Sequence, residues 1–166
     1  MYKGVKMNLL DLEVSKKGYI KILCAFILIV FIILALYYYS LLTYKSYTLE
    51  ADTIVADIDE QDMNTHIDIL EHQGKKVEIA GWAYKENEKI KTINSSYVLK
   101  NQETGDMYIL RTRYEENINV PEDYKISGLH TRFLIGNLAS GRYDIYVLYK
   151  NNNNNILAKT GVYLDV

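Results

Sequence analysis

The chain has 166 residues, enough for one ordinary domain with an appendage, and carries 19 Lys and Arg against 21 Asp and Glu. Its single cysteine excludes a disulfide framework. From residue 45 onward there are 14 Lys and Arg against 19 Asp and Glu, an acidic balance that argues against nucleic acid as a partner.

An uncharged and strongly apolar stretch over residues 22–44 predicts a helix that spans a membrane. A helix of this length reaches about 34 Å, whereas the hydrocarbon core of a bilayer is about 30 Å thick. Five lysines precede the stretch and only Lys45 follows it closely, which places the N-terminus in the cytoplasm. We therefore predict a cytoplasmic tail over residues 1–18, a single-pass transmembrane helix over residues 19–44 and an extracytoplasmic remainder in the cell envelope.

A cleaved signal peptide is the alternative to a retained signal-anchor. Such a peptide has a shorter apolar core, followed by small residues at its cleavage site. Here the apolar core runs into Tyr37, Tyr38 and Tyr39, which fit a cleavage site badly. Cys24 lies at the start of the apolar run, which also disfavours lipoprotein processing. A retained anchor is the favoured interpretation.

Residues 45–63 are acidic and weakly patterned, which indicates a connector with one strand around residues 53–58. The acidic run over residues 57–62 invites comparison with a calcium-binding loop. However, Asp62 stands where such a loop needs glycine, and no Glu occupies the closing position. We therefore predict no calcium site there.

Short runs with two-residue alternation, separated by turn residues, follow the connector and predict strands. The clearest run covers residues 143–150, and the Asn-rich residues 151–155 predict a turn to an antiparallel partner at residues 156–166. The other runs lie around residues 66–69, 77–84, 97–100, 107–113 and 129–135. About seven strands without a long helix between them predict an all-β antiparallel sandwich over residues 64–166, with a closed barrel as the alternative.

Residues 138–147 combine Leu138, a turn glycine at Gly141 and Tyr143 at the start of an alternating strand. This pattern resembles the late-strand signature of fibronectin type III and related immunoglobulin-like sandwiches. The resemblance implies that the Tyr143 hydroxyl bonds to backbone just upstream. With residues 79–83, Arg113 and residues 127–129, the chain is similar to small extracytoplasmic sandwich domains of Gram-positive membrane-anchored proteins. That similarity implies a fold and a location, and no reaction.

Candidate catalytic residues are few. His66, His72 and His130 belong to no nucleophile motif and are interpreted as surface histidines. The acidic pairs Glu115-Glu116 and Glu122-Asp123 are interpreted as solvated loop charge rather than the two carboxylates of a glycosidase. No pattern of metal ligands or phosphate-binding glycines is present. The sequence therefore predicts no catalytic, metal or cofactor site and indicates that the protein is not an enzyme.

The aromatic residues remain as candidates for binding. Trp82 is interpreted as a core residue. Tyr146 alternates with inward positions and is predicted to point away from the core, while Leu148 shares its face and Tyr163 lies on the pairing strand. We therefore predict an exposed contact surface of Tyr146, Leu148 and Tyr163.

A membrane-anchored, non-catalytic interaction module of the cell envelope is the preferred function. Its β domain would be presented to a protein or glycan partner. The alternative is a glycan-binding accessory subunit of envelope polysaccharide assembly or hydrolysis.

Overall fold

A computed structural model of the chain describes residues 16–41, 44–58, 60–90, 94–118, 120–151 and 154–166. The chain forms two compact units that divide after Tyr39. The first unit contains residues 16–39 of helix α1 (Lys16–Leu41), whose segment Gly18–Tyr39 is long and apolar enough for a membrane anchor or a signal sequence. Most of the predicted cytoplasmic tail lies outside the described residues. The helix was predicted to reach residue 44, but Tyr44 already begins a strand.

The second unit is mostly β, and its described residues form ten strands rather than about seven. Seven of the ten match the predicted runs, and a further one matches the short strand expected within the connector. The predicted run over residues 107–113 divides into two strands, because residues 111–112 leave the ladder. The strands are β1 (Tyr44–Tyr47), β2 (Ile54–Ala56), β3 (Met63–Gln73), β4 (Lys76–Lys85), β5 (Ser96–Asn101), β6 (Met107–Leu110), β7 (Arg113–Glu115), β8 (Gly128–Leu134), β9 (Arg142–Asn151) and β10 (Asn154–Asp165).

The strands form two sheets. The first has six strands in the order β1-β6-β5-β9-β10-β2, and the second has four in the order β3-β4-β8-β7. The predicted β5–β6 and β9–β10 hairpins are both present and antiparallel, although residues 152–153 at the β9–β10 turn lie outside the described part. One pairing departs from the antiparallel prediction, because β2 runs parallel to β10.

The main apolar core takes side chains from both sheets. In β4 the inward positions are Val77, Ile79, Gly81 and Ala83, all buried. The hydroxyl of Tyr97 on β5 donates to the Leu129 carbonyl oxygen on β8 at 3.2 Å and so joins the two sheets. Burial of these alternate residues supplies the driving force that fixes the register of each strand.

Two stretches of the predicted connector, in β1 and β2, belong to the six-stranded sheet. Strands β1 and β2 lie at its opposite edges, so residues 48–53, which we name the crossing segment, must pass over one face of the sheet. Glu50 shows which face this is. Its carboxylate accepts from Lys150 Nζ at 2.6 Å and from Asn155 Nδ2 at 3.1 Å, and both partners point away from the main core. The crossing segment therefore covers the outer face of the six-stranded sheet.

Candidate functional site

The predicted contact surface of Tyr146, Leu148 and Tyr163 is not an exposed patch. Tyr146 and Leu148 do point away from the main core, as predicted, but they are only 7% and 2% exposed. They pack with Val98 and Leu157 in a second apolar cluster, which we name the outer cluster. Tyr163 is exposed and does not belong to this cluster, although its pairing with Asp144 places it on the same face of the sheet.

The crossing segment explains why the sequence-based prediction of exposure was wrong. Alternation along β9 shows correctly that residues 144, 146, 148 and 150 share one face, but it says nothing about what covers that face. Tyr47, at the end of β1, packs against the outer cluster. Asp52 Oδ1 also accepts from Asn155 Nδ2 at 3.1 Å and holds the segment down. The part of the outer face around Tyr146 and Leu148 is therefore covered by protein.

The outer face of the four-stranded sheet is different, and Trp82 lies on it rather than in the core. Because Gly81 and Ala83 are inward positions of β4, Trp82 and Tyr84 point outward. Both are half-buried. The interpretation of Trp82 as a core residue was therefore wrong, although the parity of β4 contained the signal that would have placed it correctly.

Trp82 belongs to a line of adjacent rings, which we name the aromatic row: His66 on β3, Trp82 and Tyr84 on β4, and Tyr124 in the 3-10 helix Glu122–Ser127. Successive ring centroids are 5.7, 5.4 and 4.2 Å apart, with interplanar angles of 30°, 20° and 14°. The Trp82–Tyr84 and Tyr84–Tyr124 pairs are stacked, whereas the His66 ring is tilted against the indole. The row therefore presents ring edges, rather than a flat platform of ring faces, to solvent.

Two glycines allow this arrangement. A Cβ at Gly81 would lie 2.0 Å from the His66 carbonyl oxygen, so only glycine permits β3 to approach β4 beside the row. Gly128 on β8 is the cross-strand neighbour of Trp82. A Cβ at Gly128 would lie 2.4 Å from the Glu115 carbonyl oxygen, so glycine likewise permits β7 to approach β8 beside the indole.

Polar groups border the row at the end formed by Tyr84 and Tyr124. The Tyr124 hydroxyl accepts from the Asn87 backbone N–H at 3.0 Å, and Asn64 Nδ2 donates to Glu86 Oε1 at 3.2 Å. Partial burial raises the pKa of Tyr84 above its ordinary value, so its hydroxyl stays protonated at neutral pH. Hydrogen-bonding groups and aromatic edges thus lie side by side.

A charged network occupies the rest of this face. Arg132 donates two hydrogen bonds of 2.7 Å to the Glu78 carboxylate. The His130 ring lies between Glu115, 2.8 Å from Nδ1, and Glu78, 2.9 Å from Nε2. The hydrogen bonds from Arg132, helped by His130, lower the pKa of Glu78 to about 2. The network therefore ties β4, β7 and β8 together with charge-assisted bonds.

Of the candidate catalytic groups, His130 and Glu115 are in contact in the structure, whereas His72 and Glu122 bond elsewhere. Among the described residues, the hydrogen bonds of the His130 network reach no serine, threonine or cysteine side chain. His72 bonds to the Gly74 carbonyl oxygen, and Glu122 pairs with Lys125. In the described ranges, no three His, Cys, Asp or Glu side chains are placed to hold a metal ion.

The structural residues Gly141 and Tyr143 lie at the start of β9. The Tyr143 hydroxyl donates to the Ala139 carbonyl oxygen at 2.9 Å, the upstream bond that the resemblance implied. Gly141 has a φ of 145°, which favours glycine, and exchanges two 3.0 Å backbone bonds with Val166. These contacts fasten the last strand to the turn before β9.

No family model matches this chain, and comparisons with curated proteins and with solved structures found no match.

Proposed function

We propose that this chain is a membrane-anchored, non-catalytic interaction module of the cell envelope, and that its aromatic row contacts a protein partner. The apolar segment Gly18–Tyr39 supports the anchor. The lysines that precede it support a cytoplasmic N-terminus and an extracytoplasmic β domain. We further infer an immunoglobulin-like sandwich, supported by the apolar core shared between the two sheets and by the Tyr143–Ala139 bond.

The observation that carries the proposal is the position of Trp82 and Tyr84 outside the core. A sheet face that serves only as a solvated surface has polar outward residues, as β4 has at Lys76 and Glu78. Here the same strand changes to aromatic residues for its outward positions at Trp82 and Tyr84. Tryptophan and tyrosine dominate the energetics of protein contact surfaces.

The ring geometry favours a protein over a glycan. A sugar stacks its apolar face on an exposed ring face, but Trp82 and Tyr84 already stack on each other. Ring edges and hydroxyl groups suit the side chains and backbone of a polypeptide. An envelope glycan is therefore the second candidate.

Co-purification from detergent-solubilised membranes tests the proposal. We expect Trp82→Ala and Tyr84→Ala to lose a partner that the wild-type chain retains, by at least about tenfold, which corresponds to about 1.4 kcal/mol. Tyr163→Ala is the matched control, because Tyr163 is 48% exposed and lies on the other sheet. All three variants should retain wild-type circular dichroism.

The same preparation distinguishes the two partner classes. Trp82 is the only tryptophan in the chain, so its fluorescence reports directly on the row. A fluorescence change on titration with purified envelope polysaccharide would favour the glycan. If the two aromatic variants retain every partner of the wild-type chain and the fluorescence does not change, the row is not the contact site.

A further inference from the structure

The outer edge of the six-stranded sheet carries exposed aliphatic side chains. Strand β2 is the last strand on this side, and within the described residues no other strand pairs with its outer edge. Ile54, Val55 and Ile58 are 48%, 56% and 51% exposed. A free edge of this kind is a template for an added strand. Neither the aromatic row nor the crossing segment covers it.

Strand β2 is already ordered in the absence of a partner. It pairs in parallel with β10, in the register Ile54↔Ile156 to Ala56↔Ala158. Ala56 is only 1% exposed and belongs to the main core. Just before β2, Asp52 accepts a hydrogen bond from Asn155. Because this strand is already ordered, adding a neighbour to it carries little further entropic cost on its side.

The charged side chains in the stretch of sequence that contains β2 are all negative. Residues 46–74 contain eight Asp and Glu and no Lys or Arg. Asp52 and Asp57 bracket β2, and both are exposed. In an antiparallel pairing of two copies centred on Val55, Asp57 of each copy would lie opposite Thr53 of the other copy and next to its Asp52. Like charges this close are unfavourable, so this edge disfavours self-association and favours a basic partner.

We propose that the outer edge of β2 binds an extended polypeptide segment in which basic residues alternate with aliphatic residues. The added strand takes main-chain hydrogen bonds from β2. Its aliphatic side chains lie beside Ile54, which shares the inward face of the sheet with Ile156, and its cations lie on the opposite face near Asp52, which bonds to the outward-pointing Asn155. This site is separate from the aromatic row, so either contact can fail without the other.

Fluorescence anisotropy on the full-length chain in phosphatidylcholine nanodiscs tests the proposal, with empty nanodiscs as the blank. The probe is a labelled peptide of about nine residues in which valine alternates with lysine. We expect it to bind at least about tenfold more tightly than a valine–glutamate peptide. We also expect the alternating peptide to bind more tightly than a control peptide of the same composition, in which all valines precede all lysines.

Matched variants locate the site. Val55→Lys should weaken binding of the valine–lysine peptide at least about tenfold. Ile118→Lys should not, because Ile118 is 85% exposed in the segment between β7 and the 3-10 helix. Hydrogen exchange at residues 54–56 should slow when the peptide is saturating. Three results would each overturn strand addition. These are equal affinity for the valine–lysine and valine–glutamate peptides, unchanged peptide binding by Val55→Lys, and peptide binding that leaves hydrogen exchange at residues 54–56 unchanged.

Discussion

The outer cluster makes a quantitative prediction for Leu148→Ala. Leu148 is 2% exposed and packs with Val98, Tyr146 and Leu157 beneath the crossing segment. Truncating a buried leucine costs about 2–5 kcal/mol, because transfer free energy is lost and a cavity remains. Because the crossing segment is a single chain that can settle toward the cavity, we expect the lower part of this range, about 2–3 kcal/mol.

Thermal unfolding followed by circular dichroism measures this loss. For a unit the size of Ser40–Val166, each kcal/mol lowers Tm by about 3–5 °C. Leu148→Ala should therefore melt about 6–15 °C below the wild type. Tyr163→Ala, at an exposed position of the same sheet, should change Tm by less than about 4 °C. A Tm for Leu148→Ala within about 2 °C of the wild type would refute a packed outer layer.

Three further predictions concern the four-stranded sheet and the start of β9. Gly81→Ala should destabilise the domain by more than about 2 kcal/mol in chemical denaturation, because the added Cβ would lie 2.0 Å from the His66 carbonyl oxygen. Tyr143→Phe should cost about 1 kcal/mol in the same assay, through loss of one buried hydrogen bond. The pKa of Glu78 falls from 4.5 to about 2 on folding, chiefly through Arg132, so the stability it adds is present above pH 4.5 and lost as the pH drops toward 2. Screening by solvent limits this contribution to the free energy of unfolding to about 1 kcal/mol. In thermal melts over a series of pH values, Glu78→Gln should therefore lose about 1 kcal/mol less stability than the wild type as the pH falls from 4.5 toward 2.

The strands that sequence predicts well are those whose pattern is local. Alternation over residues 143–150 and the asparagine-rich turn identify the β9–β10 hairpin, and burial of alternate residues then fixes its register. The Tyr143 hydroxyl bond is similarly local, because its acceptor on Ala139 lies four residues away. Signals of this kind need no knowledge of the other sheet.

The remaining features depend on contacts that are distant in sequence. Strand β1 continues the tyrosine-rich end of the apolar run, and only its pairing with β6, about sixty residues later, makes it a strand. Glu50 lies in an acidic stretch that reads as a connector, yet it bonds to Lys150 across the sheet. Tyr124 joins the aromatic row from a 3-10 helix without a periodic pattern.

The fold assigns different roles to the two outer faces. The six-stranded sheet has its outer cluster closed by the crossing segment, whereas the four-stranded sheet leaves Trp82 and Tyr84 at its surface. The charged network around His130 occupies the neighbouring part of that face and holds β7 to β8 and β4. The open face thus combines a charged area with the aromatic row on which the proposed partner contact rests.

Photocrosslinking in intact cells tests the aromatic row most directly. A photoreactive residue replaces His66, at the exposed end of the row, or Glu103, which is exposed on the β5–β6 turn. The account predicts a discrete crosslinked protein from position 66, lost when Trp82→Ala is added, and none from position 103. Equal crosslinking from both positions, or a product at position 66 that persists with Trp82→Ala, would contradict it.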